Sequence, residues 1–350
     1  MHTKLLSVLW ITLYLCASHS LAKTAKANFS LPTWTSVQMT SKTSLRGSAI
    51  KEQSLWVTGS NNSVFVSQDG GATWKNRSVP QSVKLDFRDI ALFDKHTAIV
   101  MGAGSDLLSV LYKTIDGGKT WQLLYQNTDK TGFFNSVAFW DSKQGLLIGD
   151  PVDGYFVVKK TNDGGKTWRR ISIGGLPKKQ SKESVFAASG NSIIVGTQGK
   201  AWIATGGYSA SVYSSSDYGE TWLRSSVPIY RETQTAGGYA MAINQAEQPF
   251  ILGGDYLDRT MKYNNMASLI ANQWQTSQTG NHGLRTAMSC QSNTCISTGK
   301  TSSDISLDSG RTWQVLKGQG FYTLSSDKGV FIAAGANGTV GIMDLTKKLR

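Results

Sequence analysis

Nine side chains in this sequence could bind or transform a ligand, provided that the fold brings them together. Guanidinium groups that converge in a concave site hold a carboxylate, phosphate or sulfate through forked hydrogen bonds. Two carboxyl groups about 5–10 Å apart can instead cleave a glycosidic bond. The nine candidates are Arg46, Arg88, Asn135, Asp150, Asp153, Glu183, Asp255, Arg285 and Asp304. They are widely separated along the chain, so their use depends on the elements that position them.

One eight-residue pattern, Ser/Thr-x-Asp-x-Gly-x-Thr-Trp, occurs five times, at residues 67–74, 114–121, 161–168, 215–222 and 306–313. Glycine after aspartate predicts a hairpin turn, because glycine adopts positive φ and the carboxylate accepts nearby backbone N–H groups. The tryptophan begins the next strand and offers a large face for packing. We therefore predict structural roles for Asp69, Trp74, Asp116, Trp121, Asp163, Trp168, Asp217, Trp222, Asp308 and Trp313.

The spacing of the tryptophans gives the number of repeated units. Trp34 and Trp274 extend the series to seven, with gaps of 40, 47, 47, 54, 52 and 39 residues. This spacing predicts an all-β fold, a single seven-bladed β-propeller with four-stranded blades. Three strands follow Trp313 and one strand begins at Trp34, so the N-terminal strand should complete the last blade. The fourth unit is longer, and we expect an extra hairpin at 193–197.

The repeated pattern resembles the Asp-box, also called the bacterial neuraminidase repeat, over residues 34–344. The unit length and the regular Asp-Gly-Gly-x-Thr-Trp turns are most similar to exported bacterial propellers related to the photosystem II assembly and stability factors. Asp-boxes also occur in sialidases, other glycoside hydrolases and sortilin-type receptors. The resemblance implies the fold, but a fold does not fix activity.

The sialidase part of the resemblance is incomplete. A sialidase uses three arginines, a Tyr–Glu nucleophile pair and an acid/base aspartate. Three arginines can be nominated, but the sequence after Phe87-Arg88 lacks the Ile-Pro of sialidases, and no Tyr–Glu pair identifies itself.

Propeller geometry explains the choice of the nine candidates. The innermost strands surround a central channel, and their first residues line the channel mouth opposite the repeated turns. Counting from each preceding tryptophan places five candidates there: Arg46, Arg88, Asn135, Glu183 and Arg285. Loops after the second strands add Asp150, Asp153, Asp255 and Asp304. These side chains either bind an anionic ligand or pair with one another in a structural network.

The N-terminal residues have the features of a secretory signal. A lone Lys4, an apolar run over 5–15 and small residues before Ala22 predict cleavage after residue 22. A bilayer span needs about 20 apolar residues, so we expect no stable membrane insertion. The predicted organisation is a signal peptide at 1–22, a flexible segment at 23–31, the propeller at 32–345 and a basic tail at 346–350. The protein should be periplasmic or extracellular.

Cysteine and charge narrow the chemistry further. Cleavage removes Cys16 and leaves Cys290 and Cys295, which export would allow to form a local disulfide. Two histidines remain after cleavage, His96 and His282, so we expect no metal site. No phosphate-binding glycine loop is present, and we expect no cofactor. The formal net charge of +13 comes from scattered Lys and Arg, which does not favour nucleic acid.

These observations predict an exported binding or assembly scaffold with its ligand or partner site at the channel mouth. The expected partner is a protein or an anionic glycan of the cell envelope or a host surface, and the chain should be a monomer. The alternative is a glycoside hydrolase, sialidase-like or otherwise glycan-cleaving, that uses carboxylates at the same mouth.

Overall fold

Short antiparallel strands account for nearly all the regular structure in the computed structural model, which describes residues 30–129 and 132–347. The chain divides into residues 1–31 and 32–350, and only Ser30 and Leu31 of the first unit are described. The predicted signal peptide, most of the 23–31 segment and residues 348–350 of the basic tail lie outside the described residues. No helix within 30–129 or 132–347 is long and apolar enough to cross a bilayer.

The chain begins with β1 (Thr35–Gln38), and the blades then follow one another in sequence. Blade 1 contains β2 (Leu45–Lys51), β3 (Ser54–Gly59), β4 (Val64–Ser67) and β5 (Lys75–Asn76). Blade 2 contains β6 (Phe87–Leu92), β7 (Ala98–Gly102), β8 (Val110–Thr114) and β9 (Gln122–Gln126). Blade 3 contains β10 (Phe134–Phe139), β11 (Gly145–Val152), β12 (Tyr155–Thr161) and β13 (Arg169–Arg170).

Blade 4 is preceded and interrupted by a two-strand ribbon that pairs with the next blade. The ribbon strands are β14 (Glu183–Ser184) and β17 (Gly206–Gly207). Blade 4 itself contains β15 (Ile193–Val195), β16 (Ala201–Ala204), β18 (Ser211–Ser215) and β19 (Leu223–Ser226). Blade 5 contains β20 (Ala236–Ile243), β21 (Pro249–Asp255), β22 (Met266–Ile270) and β23 (Gln273–Thr276). The predicted hairpin at 193–197 is wrong, because Ile193–Val195 is the innermost strand of blade 4.

The last two blades complete the ring. Blade 6 contains β24 (Ala287–Gln291), β25 (Thr294–Thr298), β26 (Ser303–Ser306) and β27 (Gln314–Leu316). Blade 7 contains β28 (Thr323–Asp327), β29 (Val330–Ala334) and β30 (Thr339–Asp344). Four 3-10 helices are the helical elements of the described residues, at Asp106–Leu108, Ile173–Gly175, Thr197–Gly199 and Ala336–Gly338. The fold is the predicted seven-bladed β-propeller with four-stranded blades.

The N-terminal strand closes the ring as predicted. β1 pairs antiparallel with β30, with Thr35 opposite Ile342 and Gln38 opposite Thr339, and so becomes the fourth strand of blade 7. Trp34 packs edge-to-face on Phe321, with ring centroids 5.2 Å apart. The closure covers the outer edge of β30 that blade 7 would otherwise expose.

The apolar core lies between adjacent blades. Strands β3, β7 and β21 are buried along their whole length, since each lies in the middle of a sheet with a neighbouring sheet on either face. Trp222 is buried in the cluster that joins blades 3 and 4, which is the packing role predicted for the repeated tryptophans.

The five repeated turns share one hydrogen-bond pattern. In the third, Thr161 Oγ1 donates to Asp163 Oδ1 at 2.9 Å and accepts from the N–H of Gly165 at 2.9 Å. The N–H of Thr167 donates to Asp163 Oδ1 at 2.9 Å and its hydroxyl to Oδ2 at 2.6 Å. The hydrogen bonds from Thr167 lower the pKa of Asp163 to about 2, because their effect is larger than the opposing effect of burial. The carboxylate is thus fully engaged in the turn.

A disulfide joins Cys290 and Cys295, which face each other across the β24–β25 hairpin.

Candidate functional site

A cavity of about 600 Å³ occupies the channel mouth on the face opposite the repeated turns. Arg46 and Arg88 reach it from the first residues of β2 and β6, the innermost strands of blades 1 and 2. The cavity is lined by Arg46, Arg88, Phe186, Ala187, Ala188, Tyr239, Tyr256, Leu257, Arg259, Leu284, Thr286, Lys300 and Tyr322. Among these described lining residues there are four cationic side chains and no carboxylate.

The floor of the cavity is a segment of blade 4 that enters the channel. Residues 186–191, here called the plug, lead into β15 and bond to residues of five other blades. The hydrogen bonds run from Arg88 Nη1 to Ala187 O at 2.6 Å, from Arg46 Nη1 to Ala188 O at 3.3 Å, from Ser189 Oγ to Thr286 O at 2.9 Å, from Met241 N to Asn191 O at 2.7 Å and from Ser136 Oγ to Gly190 O. The plug therefore closes the channel below the mouth.

One carboxylate serves both inner arginines. Asp86 Oδ2 accepts a hydrogen bond from Arg88 Nε at 2.8 Å and lies 3.5 Å from Arg46 Nε. Burial lowers the pKa of Arg46, an effect that the Asp86 carboxylate opposes and the Arg88 charge reinforces. The Arg46 guanidinium carbon also lies 5.4 Å from the centroid of the Tyr322 ring. The cluster keeps a net charge of +1, and both arginines retain about a quarter of their side-chain surface, at 29% and 26%.

The remaining wall is contributed by blades 5 and 6. Arg259 and Lys300 are exposed and form no ion pair with any residue of the described chain. Phe186 of the plug stacks on Tyr239, with centroids 4.2 Å apart and planes at 14°. The wall thus combines free cations with aromatic surface.

Arg285 and Asp304 do not belong to the cavity. Arg285 donates to Asp304 Oδ2 from Nε at 2.8 Å and from Nη2 at 2.6 Å, and both side chains are completely buried. Of the two roles that the sequence left open for this pair, the structure contradicts ligand binding and shows ion pairing inside blade 6, where Asp304 belongs to β26 and not to the loop before it. The role of the pair is structural.

Glu183 does not occupy the start of an innermost strand either. It lies in the ribbon strand β14, where its carboxylate accepts from Thr205 Oγ1 at 2.5 Å and from the Tyr213 hydroxyl at 3.0 Å. Burial and the Glu183 charge together raise the pKa of Tyr213. The count from Trp168 failed because the ribbon and the plug add residues before β15.

The other candidate carboxylates lie in blades 3 and 5, outside the cavity lining. Asp150 accepts from Asn135 Nδ2 at 2.9 Å, and burial raises the pKa of Asp150 against that bond. Asn135 is itself buried, and Asp153 is exposed. Burial of Asp255 opposes its ionisation, but bonds from Thr233, the Leu257 N–H and Thr235 outweigh it and lower the pKa. The buried Asn135 and Asp255 and the half-buried Asp150 are each engaged by neighbours in their own blade.

Sequence reasoning did not predict the plug or the part of the cavity wall that blades 5 and 6 contribute. Arg259 and Tyr256 lie in the loop between β21 and β22, and Lys300 lies in the loop after β25. The sequence places both loops at the mouth, but no local pattern distinguishes these cations from the other scattered Lys and Arg residues.

A larger cavity of about 820 Å³ lies on the face of the repeated turns, between blades 7 and 1. Its lining contains four cationic and four anionic side chains, namely Lys51, Glu52, Asp69, Lys95, Asp327, Lys328, Asp344 and Lys347. These charges balance, so this cavity selects neither cations nor anions. Within the described residues, no three His, Cys, Asp or Glu side chains are grouped to hold a metal ion.

Comparisons with known proteins agree with the fold. Residues 11–266 match the family model described as the DUF6242 beta propeller domain. The structure is similar to that of YCF48 bound to D1 peptide, at a TM-score of 0.66 and 14% identity, covering 90% of this chain and 96% of that chain. The structure is also similar to that of YCF48 from Cyanidioschyzon merolae, at a TM-score of 0.65 and 16% identity, covering 90% of this chain and 100% of that chain.

An enzyme shares the architecture. The GH74 enzyme of Niastella koreensis gives a TM-score of 0.59 and 13% identity, covering 88% of this chain and 53% of that chain. At such identities the likeness concerns the fold alone. No curated protein matches the sequence.

Proposed function

The chain belongs to the DUF6242 beta propeller domain family, and we propose that it is a binding module that holds an anionic segment of a protein partner in the mouth cavity. The observation that carries the proposal is the charge of the lining, where Arg46, Arg88, Arg259 and Lys300 face the cavity without a lining carboxylate. An anion placed there receives charge-assisted hydrogen bonds from partly buried donors.

A protein segment fits the cavity better than an inorganic anion does. The volume of about 600 Å³ is in the range of small-ligand pockets, and the rest of the lining is aromatic or aliphatic. One of the solved structures of the same fold is YCF48 bound to D1 peptide. That likeness supports peptide binding as a use of this architecture.

The proposal also includes export of the protein and the assignment of the five repeated turns as Asp-boxes. The N-terminal signal pattern supports export to the periplasm or the cell exterior, where the chain would act as a monomeric scaffold. The shared hydrogen-bond pattern of the five turns supports their assignment as Asp-boxes, in a propeller like the photosystem II assembly factors.

The alternative, a glycoside hydrolase, is less well supported. Its candidate carboxylates are distributed over blades 3, 5 and 6 and the ribbon, and all of them except the exposed Asp153 are engaged by neighbouring donors. A hydrolase needs two carboxyl groups facing one substrate.

The test is binding of a fluorescein-labelled hexaglutamate peptide, followed by anisotropy. Arg46→Gln, Arg88→Gln and Arg259→Gln should each weaken binding by at least about tenfold, since a hydrogen bond to a charged group contributes about 1.5–3 kcal/mol. Arg311→Gln, an exposed arginine on the opposite face, is the matched control. Equal effects of all four changes would overturn the proposal. Tighter binding of polygalacturonate at the same arginines would replace the protein partner by an anionic glycan.

A further inference from the structure

The mouth cavity has cations on two sides and apolar side chains in the rest of its lining, and we infer that the cavity recognises a peptide segment in which acidic residues flank a large apolar residue. This inference rests on the proposed function for the location of the site. It adds the class of ligand, because a purely electrostatic site would accept any anion of suitable size.

Cations lie on two sides of the cavity. Arg46 and Arg88 belong to blades 1 and 2, whereas Arg259 and Lys300 come from loops of blades 5 and 6, across the seven-membered ring. Two acidic residues separated along a peptide match the two cationic sides.

Apolar side chains make up much of the remaining lining of the cavity. Phe186 and Tyr239, which stack on each other, line it together with Leu257 and Leu284. Leu257 is 70% exposed and Tyr256 is 51% exposed, which are large fractions for side chains of their size. Exposed apolar groups that adjoin a pocket mark interaction sites.

The exposed loop is held in place rather than free. Asp255 accepts from the N–H of Leu257 at 2.9 Å, and Asp258 accepts from the N–H of Thr260 at 2.9 Å. Met261 is buried and its carbonyl accepts from the N–H of Gly283 at 2.6 Å. Leu257 is therefore presented to solvent by a fixed backbone, so binding would require little ordering of the loop.

The experiment compares two peptides of equal charge. Both are acetylated and amidated heptapeptides with acidic residues on either side of the central position, which is phenylalanine in one and serine in the other. Blocked ends remove the terminal carboxylate as a source of the anion. The native protein should bind the phenylalanine peptide at least about tenfold more tightly, because burial of that ring contributes about 1.5–3 kcal/mol.

The preference for the phenylalanine peptide should disappear in the double variant Tyr256→Ser/Leu257→Ser. This variant should bind both peptides with the affinity that the native protein has for the serine peptide. Tyr263→Ser is the control, because Tyr263 is an exposed residue of the same loop outside the cavity lining, and it should retain the preference. Exposed positions tolerate these changes, and thermal unfolding verifies the fold.

The outcomes separate this inference from the proposed function. Equal affinities for the two peptides, or a preference that survives in the double variant, would overturn the two-part recognition while the arginine-dependent binding stands. Binding of neither peptide, with hexaglutamate also unbound, would contradict the proposed function itself.

Discussion

Arg285 donates two hydrogen bonds to one oxygen of Asp304, from Nε at 2.8 Å and from Nη2 at 2.6 Å, and neither side chain has exposed surface. Arg46 and Arg88 share Asp86 but remain partly exposed. The same residue type therefore stabilises one blade and faces the cavity from two others. Burial, rather than residue type, separates this structural arginine from the two that we propose to bind a ligand.

Loss of the Asp304 carboxylate should destabilise the protein strongly. Asp304→Ala leaves the Arg285 guanidinium buried without its partner, which costs about 3–5 kcal/mol. Urea unfolding measures the change. The control is Arg169→Gln, which removes an exposed ion pair with Glu220 and should cost less than about 1 kcal/mol. Similar costs for the two variants would contradict the structural role of the buried pair.

Asp89 should make the protein less stable as the pH rises from about 4 to about 7. Burial raises the pKa of Asp89 to about 7 against hydrogen bonds from Val137, Ser136 and Ile90. In this interval the folded state holds a proton that the unfolded state has lost, so each pH unit costs about 1.4 kcal/mol of stability. Asp89→Asn removes this contribution. Urea unfolding across the interval should show a flatter profile for the variant, and parallel profiles would refute the assignment.

A side chain at Gly190 should disrupt the plug. Gly190 has φ +69°, and a Cβ there would lie 2.3 Å from the Asp89 carboxyl carbon. Gly190→Ala should therefore cost about 1–3 kcal/mol for overpacking, in addition to the strain of positive φ. Gly70→Ala has nearly the same φ, +68°, with nothing within 4 Å, and isolates the strain. Urea unfolding compares the two, and an equal loss in both would exclude the clash.

Asp163 should stabilise the third repeated turn only when it is ionised. Its pKa is lowered to about 2, chiefly by the Thr167 bonds, so the stabilisation is present above about 4 and is lost as the pH falls towards 2. Asp163→Asn should shift the acid-unfolding midpoint, followed by circular dichroism, to higher pH. Asp153→Asn removes an exposed carboxylate outside the turns and should leave the midpoint in place. Equal shifts of the acid-unfolding midpoint in both variants would attribute the shift to net charge and contradict the role of Asp163 in the turn.

The sequence predicts the ring well and the site only in part. Each repeated turn with its tryptophan lies between the third and fourth strands of a blade, so seven tryptophans specify seven blades and the register of their sheets. Glu183 was misplaced because the ribbon and the plug lengthen blade 4 without a local pattern of their own. The burial of Arg285 depends on a partner from another strand. Arg259 and Lys300 line the same cavity as Arg46 only because the blades close into a ring.

The most direct test of the binding site is hydrogen–deuterium exchange with and without a saturating acidic peptide that contains phenylalanine. A ligand bound at the channel mouth should slow exchange in the plug at 186–191 and in the loop at 255–261, with no change in the turn at 163–168. Slower exchange at 51–54 and 327–330 instead would place the ligand in the cavity of the opposite face. That result, or unchanged exchange throughout the chain, would contradict a binding site at the channel mouth.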